Sequence, residues 1–293
     1  MKNFEFKLTS DLESFNLVHI LECGQCFRWE KQDDNSYIGV VNDSVVKIYE
    51  DNGNIKVKGV TLIDNIEEYL NEYFDLDTNY EIYKKRLSKI DKYMKNSIDF
   101  GYGIRILNQD LWETIISFII SANNNIPRIK KIINAISKEY GNKIVFENNE
   151  YYTFPSAESL GRASVEDLRK LGLGFRDKRV HKTTKMILDK EVELDYLRGL
   201  DDTEKIKEEL LKLDGIGEKV ADCILLFSLK RRDAFPIDVW VRRVMNDLYV
   251  HEEDEEKVNK KELQKLAEDK FLGLSGIAQQ YLFYWKRESG KSA

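Results

Sequence analysis

The chain has 293 residues, of which 42% are hydrophobic and 33% charged, and it carries only 3 prolines. This composition supports a buried core and excludes a disordered or fibrous protein. The longest apolar runs, 115–120 and 223–229, are far shorter than the roughly 20 residues of a membrane-spanning helix. The polar N-terminal segment and the three cysteines predict neither a signal peptide nor a disulfide framework, so we expect a cytoplasmic rather than a secreted protein.

The net charge of −6 is unevenly distributed along the chain. Residues 169–185 contain seven Lys or Arg against one acid, Asp177, and residues 230–243 contain five against two. Local potential, rather than total charge, decides which ligands approach a surface. These segments are compatible with nucleic-acid binding, and equally with solvated helix faces.

The first 107 residues predict an antiparallel sheet with helices. Short β-branched or aromatic runs between turn signals predict strands at Ser36–Val41, Ser44–Tyr49 and Asn54–Val60. Apolar runs predict helices at Ile66–Phe74 and Ile82–Met94. We place a boundary near residues 100–110, which gives an N-terminal α+β domain at 1–107.

Residues 108–293 predict a mostly helical body. Pro127 favours a helix start, and the capping box that begins at Ser164 opens a helix that Gly172 closes. The predicted helices lie at Leu111–Ser121, Asp201–Leu211, Glu218–Leu229, Val239–Leu248 and near Gly276–Lys286. The fold class is therefore α+β, with an antiparallel sheet domain followed by a mostly α-helical body.

A Gly215-Ile216-Gly217 turn separates two of these helices and predicts a helix-hairpin-helix. The free N–H groups and the partial positive charge at the start of the second helix suit a phosphate. Such a contact would be independent of base sequence. A plain connection between two helices is the alternative.

Residues that can carry chemistry follow this turn. Lys219 lies in the first turn of the second helix, and Cys223 lies one turn later on the same face. The positive end of the helix dipole opposes the lysine charge, which favours the neutral, nucleophilic amine. The alternative is an ordinary surface lysine.

Asp238 follows Pro236-Ile237 and precedes an apolar run, so it can cap the helix that starts there. Close to Lys219, its carboxylate can also take a proton or stabilise positive charge on a sugar during glycosidic cleavage. Capping alone is the alternative, because the sequence does not establish that Asp238 and Lys219 are close.

Several motifs, in this order, resemble those of the 8-oxoguanine DNA glycosylases of the helix-hairpin-helix–GPD superfamily. They are Gly24-Gln25-Cys26-Phe27-Arg28-Trp29, Ser121 to Arg128, Leu171 to Arg176, Gly215 to Cys223, Pro236-Ile237-Asp238 and Gln279 with Phe283. The resemblance spans about residues 24–285. It implies excision of 8-oxoguanine, expected opposite cytosine, from double-stranded DNA through a lysine Schiff base, followed by strand nicking as an AP lyase.

The resemblance also implies roles for residues at the active site. Lys219 would attack the anomeric carbon, and Asp238 would assist with charge and protons. The carbonyl of Gly24 would accept the hydrogen on N7 of the oxidised base, which ordinary guanine lacks. The residues that would sandwich the base or bind its Watson–Crick edge are Cys223, Phe283 and Gln279.

Contacts to the DNA are implied for a second set of residues. Asn123, Arg128 and Arg176 would fill the gap left by the flipped nucleotide and read the orphaned cytosine. Phe175 would wedge between bases, and Trp240 stands where animal members have histidine. Gly215 and Gly217 would face phosphate.

The resemblance implies no required cofactor. A monovalent or calcium ion can bind the hairpin through the backbone carbonyls of Leu211, Leu213 and Ile216. No cysteine follows Cys223, which excludes the four-cysteine iron–sulfur cluster of endonuclease-type relatives.

Three other functions stay open. A glycosylase for another lesion would not need the matches at Gly24, Gln279 and Phe283, and a noncatalytic DNA-binding module would need neither Lys219 nor Asp238. The Cys-x-x-Cys of Cys23 and Cys26 is typical of thiol redox or zinc chemistry, although the three histidines are scattered. We expect a monomer without a membrane partner that acts on DNA, in the nucleoid or, in a eukaryote, in the nucleus.

Overall fold

The N-terminal strands form one antiparallel sheet in a computed structural model that describes residues 1–254 and 257–290. Its spatial order is β1-β5-β4-β3-β2. The strands are β1 (Lys2–Thr9), β2 (Trp29–Lys31), β3 (Tyr37–Val41), β4 (Ser44–Asp51) and β5 (Asn54–Thr61). The three predicted strands are thus confirmed. The sequence analysis missed β1, a mostly exposed edge strand, and β2, which has only three residues.

Two helices cover one face of the sheet, α1 (Leu17–Leu21) and α2 (Ile66–Tyr73). Between the helices and the sheet lies a core around Trp29, whose side chain is buried and whose Nε1 donates a 2.9 Å hydrogen bond to the Tyr73 hydroxyl. This core anchors the segment that follows α1, which carries Gly24.

The remaining elements are almost all helical. The helices are α3 (Tyr80–Leu87), α4 (Lys92–Phe100), α5 (Leu111–Ser121), α6 (Ile126–Tyr140), α7 (Ala157–Leu160), α8 (Val165–Lys170), α9 (Asp177–Leu188), α10 (Leu194–Gly199), α11 (Thr203–Leu211), α12 (Glu218–Ser228), α13 (Val239–Met245), α14 (Lys260–Phe271) and α15 (Ser275–Ser289). A 3₁₀ turn covers Gly174–Arg176 and a π turn covers Asn246–Val250. A small hairpin pairs β6 (Lys143–Phe146) with β7 (Asn149–Tyr152).

The single helix predicted at Ile82–Met94 is wrong. The chain leaves α3 after Leu87 and starts α4 at Lys92, because the carboxylate of Asp91 accepts hydrogen bonds from the backbone N–H groups of Tyr93 and Met94, both at 2.9 Å. This N-cap starts a new helix inside a continuous apolar pattern. The β6–β7 hairpin and α14 were also missed.

The helical body has one continuous core that extends into the N-terminal segment. Cys23 and Phe27 pack in it beside Phe118 of α5 and Cys223 of α12. Leu87, at the end of α3, belongs to the same core, while the domain boundary expected after residue 107 stays a prediction. The residues of the sheet domain thus contribute a wall to any cavity inside the helical body. Among the described residues, no helix is long and apolar enough to cross a membrane.

Candidate active site

A cavity of about 70 Å³ lies where α12, α15 and the segment after α1 meet. Its wall includes every residue predicted for catalysis or base recognition, namely Gly24, Lys219, Cys223, Asp238, Gln279 and Phe283. It also includes Cys23, Phe118, Phe227, Pro236, Val241 and Gln280. The fold therefore brings together residues from the two ends of the chain that the sequence could only propose as neighbours.

Lys219 occupies the second position of α12, where the N-cap residue Gly217 offers no side-chain cap. Its side chain is half-buried, and Nζ lies 5.4 Å from the ring centroid of Phe118, within range of a cation–π contact. Its charge also acts on the thiol of Cys223 in the direction that lowers the thiol pKa. Lys219 therefore does not point into bulk solvent, which removes the surface-lysine alternative.

Burial raises the pKa of Cys223 to about 11, and the neighbouring Lys219 opposes that rise only in part. The sulfur is therefore a neutral thiol at physiological pH, 3% exposed, in the cavity wall. A neutral thiol offers a soft, polarisable surface rather than a nucleophile. The arrangement leaves the amine as the nucleophilic group of the pair.

Asp238 is the N-cap of α13, as predicted: its Oδ1 accepts a 2.8 Å hydrogen bond from the backbone N–H of Val241. The carboxylate also faces the cavity, and its charge acts on Cys223 in the direction that raises the thiol pKa. Asp238 and Lys219 thus flank the same thiol. Capping is one of two functions that this position permits.

Gly24 adopts a φ of +93°, a conformation that side chains disfavour, and a Cβ there would lie 3.3 Å from Arg287 Nη1. The fully buried Gln25 fixes this turn: its Nε2 donates to the carbonyls of Ile20 (2.9 Å) and Arg105 (2.8 Å). Its Oε1 accepts from the N–H of Leu107 at 2.8 Å. Gln25 therefore acts as scaffold, while Gly24 faces the cavity.

Arg28, from the same motif, also serves the scaffold. Its guanidinium is buried and donates to the Ser137 hydroxyl and to the carbonyl of Tyr152. The motif thus combines one cavity residue with several residues that hold the cavity wall in place.

Gln279 and Gln280 of α15 bring two unpaired acceptors to the cavity. Both side chains are buried, and within the described residues neither Oε1 has a hydrogen-bond partner. Native proteins pair most buried polar atoms, and leaving one unpaired costs about 1–3 kcal/mol. The cavity wall is therefore incomplete without a ligand that donates hydrogen bonds.

The cavity of about 70 Å³ lies between Phe283 and the Gly24 turn. Phe283 and the Gly24 turn are tied together by Arg287, whose Cζ lies 5.4 Å from the Phe283 ring centroid and whose Nη2 donates to the Glu22 carbonyl at 2.5 Å. Arg287 thus links two parts of the cavity wall.

The hairpin between α11 and α12 leaves the first N–H groups of α12 without a side-chain cap. Gly215 has a φ of +86°, and a Cβ there would meet Arg179 Cδ at 2.9 Å, whereas a Cβ at Gly217 would meet no atom within 4 Å. Gly215 is therefore needed for the turn, and Gly217 leaves open space in front of the helix. The Leu213 carbonyl accepts from the Ile216 N–H at 3.2 Å, and the ion expected at Leu211, Leu213 and Ile216 stays a prediction.

The predicted opposite-strand residues form a connected cluster outside the cavity. Asn123 is exposed and has a φ of +51°, and Phe175 is 57% exposed. Arg128 Nη2 reaches the Gly172 carbonyl at 3.4 Å. Arg176 differs: its guanidinium is 2% exposed and donates to the carbonyls of Ala122 and Asn123. The structure places Arg176 under the cluster rather than on its surface.

Trp240 is 58% exposed on α13, with the Arg243 guanidinium 5.5 Å from its ring centroid. By contrast, three cations of the basic segment 230–243 have partners within the protein. Lys230 pairs with Glu72 at 2.9 Å, and Arg231 donates to the Leu200 carbonyl at 2.5 Å. Arg232 likewise pairs with Asp75 at 2.7 Å. Arg231 and Arg232 thus join separate parts of the protein, and a contribution of segment 230–243 to nucleic-acid binding stays a prediction.

Cys23 and Cys26 do not form a redox or metal site in this arrangement. Their thiols donate to two different carbonyls, of Ile20 (3.3 Å) and Leu21 (3.7 Å), and face two different cavities. Burial raises the pKa of Cys23 to about 11 and that of Cys26 further. In residues 1–254 and 257–290 no cluster of His, Cys, Asp or Glu is suited to hold a metal. The geometry disfavours thiol redox chemistry.

Sequence reasoning missed the aromatic wall and the second glutamine of the cavity. Phe118 and Phe227 stack at 5.6 Å between ring centroids. Both lie in predicted helices that are apolar on most sides, so no pattern separates them from other core residues. The signal for Gln280 was available: two adjacent amides interrupt a helix whose neighbouring residues are apolar.

Comparison with known proteins shows which family of proteins has this fold. Residues 116–269 match the family model of the helix-hairpin-helix–GPD superfamily of base excision DNA repair proteins. Residues 7–115 match the model of the N-terminal domain of 8-oxoguanine DNA glycosylase. The chain has the fold of a superfamily base excision repair protein, with the hairpin lysine facing a cavity.

Three similar proteins show to which family within the superfamily the chain belongs. The 8-oxoguanine glycosylase/lyase of Clostridium acetobutylicum, solved with double-stranded DNA containing cytosine opposite 8-oxoG, is 42% identical with a TM-score of 0.89, covering 95% of this chain and 93% of that one. The N-glycosylase/DNA lyase of Saccharomyces cerevisiae is 33% identical over 81% of this chain and 69% of its own length. The probable N-glycosylase/DNA lyase of Methanothermobacter thermautotrophicus is 32% identical over 80% and 78%. The chain belongs to the 8-oxoguanine DNA glycosylase (Ogg) family, as its motifs predicted.

Proposed function

We propose that this protein is a bifunctional DNA glycosylase and AP lyase that removes 8-oxoguanine, with cytosine expected opposite, from double-stranded DNA. The observation that carries the proposal is the convergence of an amine, a carboxylate and unpaired amide acceptors on one cavity. A noncatalytic binding module has no use for such a cavity. The site of action is chromosomal DNA, in the nucleoid or, in a eukaryote, in the nucleus.

In the proposed reaction the target nucleotide leaves the stacked duplex, at a cost of a few kcal/mol, and enters the cavity. The neutral amine of Lys219 attacks C1′, and the electrons of the C1′–N9 bond leave with the base, which takes up a proton. Loss of the amine protons and opening of the sugar ring give a Schiff base between Nζ and C1′. Removal of a C2′ proton then expels the 3′ phosphate and nicks the strand.

Asp238 supports this sequence through its charge. Positive charge develops on the sugar as the glycosidic bond breaks, and a carboxylate beside Lys219 stabilises it. The backbone N–H of Val241 fixes the carboxylate through a 2.8 Å hydrogen bond, so it need not reorganise during the reaction. Asp238 can also accept a proton from the attacking amine.

Recognition of the base would use the opposite wall of the cavity. The carbonyl of Gly24 accepts the N7 hydrogen that oxidised guanine has and guanine lacks, and Gln279 binds the Watson–Crick edge. Cys223 and Phe283 contact the two faces of the base. No cofactor takes part in this scheme, and an ion at the hairpin carbonyls of Leu211, Leu213 and Ile216 would act only on phosphate binding.

Borohydride trapping tests the proposal. A duplex with one 8-oxoguanine opposite cytosine should give a covalent adduct with the wild-type protein, because borohydride reduces the Schiff base to a stable amine. Lys219→Gln should abolish both the adduct and base release. The matched control Lys95→Gln, at an exposed lysine of α4 that pairs with Asp99, should trap normally. Base release by Lys219→Gln at the wild-type rate would contradict the assignment of the nucleophile.

A further inference from the structure

Gln280 stands next to Gln279 on α15 and lines the same cavity. Its side chain is 4% exposed, and its Oε1 is buried with no hydrogen-bond partner among the residues that the structure describes. A leucine or methionine would fill this position without leaving an unpaired polar atom. The unpaired Oε1 of Gln280 is therefore available to accept a hydrogen bond from a ligand in the cavity.

We propose that Gln280 is a second base-recognition residue, whose amide accepts a hydrogen bond from the Watson–Crick edge of a guanine-derived base beside Gln279. The proposal rests on the proposed function. 8-Oxoguanine carries N–H groups at N1, N2 and N7, apart from the glycosidic nitrogen. Gly24, Gln279 and Gln280 line one cavity, so we expect the carbonyl of Gly24 to accept from N7 and the two unpaired amide oxygens to accept from N1 and the exocyclic N2.

This pairing makes the cavity selective for bases that derive from guanine. An adenine-derived base presents a lone pair at N1, which would face the same amide oxygens and be repelled. A single amide gives a modest preference, because it can rotate and offer its NH₂ group instead. Two adjacent amides must both rotate, so Gln280 strengthens the discrimination that Gln279 begins.

The test compares Gln280→Met with Gln264→Met. Methionine keeps the length of the side chain and removes its polar atoms, and Gln264 is a control on α14, where its amide contacts Glu268 outside the cavity. Binding is measured in a Lys219→Gln background, in which the strand stays intact. The duplexes contain 8-oxoguanine, 8-oxohypoxanthine, which lacks the N2 amine, or an abasic-site analogue.

Gln280→Met should weaken binding of the 8-oxoguanine duplex about tenfold or more, the effect of about 1.4 kcal/mol of hydrogen bonding. Binding of the abasic duplex should stay unchanged, and the Tm of the free protein should be equal or higher, because a buried unpaired atom is gone. Gln264→Met should change none of these. If Gln280 accepts from N2, Gln280→Met should also lose the preference for 8-oxoguanine over 8-oxohypoxanthine. If Gln280 accepts from N1, Gln280→Met should weaken binding of the 8-oxoguanine duplex and of the 8-oxohypoxanthine duplex equally.

Two results would overturn the inference. One is unchanged binding of 8-oxoguanine by Gln280→Met, and the other is equal weakening on the abasic duplex, which would mark a structural role. Borohydride trapping of the wild-type protein on the same 8-oxoguanine duplex separates failure of the Gln280 inference from failure of the proposed function. If wild type traps and Gln280→Met binds normally, only the role of Gln280 is wrong.

Discussion

The guanidinium of Arg176 donates a 2.6 Å hydrogen bond to the backbone carbonyl of Asn123, the exposed residue expected to fill the gap in the duplex. Two more hydrogen bonds, of 2.8 and 2.5 Å, reach the carbonyl of Ala122. Asn123 has a φ of +51°, in the left-handed region that Asn adopts more readily than most residues. The buried arginine therefore holds this turn in position, and we expect it to act on the opposite base through Asn123.

Arg176→Met should lower the free energy of unfolding by about 2–4 kcal/mol, because it removes a buried guanidinium and its hydrogen bonds to the carbonyls of Ala122 and Asn123. It should also weaken the preference for cytosine opposite the lesion, since Asn123 loses its support. Urea denaturation and excision rates opposite each base measure the two effects. Arg179→Met, at an exposed neighbour that also packs on Phe175, should keep wild-type stability. An unchanged urea midpoint for Arg176→Met would refute the positioning role.

The two hairpin glycines should respond differently to the same substitution. Gly215→Ala forces a Cβ to within 2.9 Å of Arg179 at a φ of +86°, so it should lower the Tm. In Gly217→Ala the new methyl group extends into open space, so the Tm should equal that of wild type. The methyl group stands where phosphate would approach, so it should weaken DNA binding. Thermal denaturation and fluorescence-anisotropy titration at fixed salt separate the two effects. Equal DNA affinity for Gly217→Ala and wild type would contradict phosphate binding at this helix start.

The three cysteines should be chemically inert in the folded protein. Burial raises the pKa of both Cys23 and Cys223 to about 11, so little thiolate exists at neutral pH. Iodoacetamide at pH 7.5 should modify none of the three until denaturant is added, as mass spectrometry would detect. Cys26→Ser should trap on 8-oxoguanine DNA equally well under reducing and mildly oxidising conditions. Loss of trapping on oxidation in wild type, prevented in Cys26→Ser, would revive the redox hypothesis.

Stability should depend on pH through Glu113 of α5. Burial raises its pKa from 4.5 to about 7, although Arg28 Nε at 3.8 Å opposes the shift. A carboxyl with a raised folded-state pKa contributes stability below its unfolded pKa and loses that contribution as pH rises through the folded pKa. As pH rises from 4.5 to 7, wild type should therefore lose up to about 3 kcal/mol in the free energy of unfolding relative to Glu113→Gln. Parallel curves for the two proteins across this range would show that Glu113 does not titrate there.

Short sequence motifs correctly predicted the turns and helix ends that depend only on neighbouring residues. The Ser164 capping box, the Gly215-Ile216-Gly217 turn and the helix cap at Asp238 all lie where the sequence placed them, because each is satisfied by neighbours within a few residues. The family motifs predicted which distant residues share the cavity. Periodicity failed at Asp91, where one carboxylate restarts a helix inside an apolar pattern.

The direction in which a long side chain points could not be predicted. Arg176 and Arg231 look like members of basic surface clusters in the sequence, yet both donate to backbone carbonyls supplied by distant parts of the chain. The same limit applies to Cys23 and Cys26, whose spacing is typical of a redox pair although their thiols face separate cavities. Such directions depend on tertiary contacts that residue spacing does not encode.

The internal partners of Arg231 and Arg232 affect how the protein searches a genome. Non-specific affinity comes mainly from cations that displace counterions, so we expect these two arginines to add little to binding of undamaged duplex. Each visit to an intact site is then brief, and many sites can be sampled in a given time. Long residence is reserved for the lesion, where a covalent bond rather than surface charge retains the enzyme.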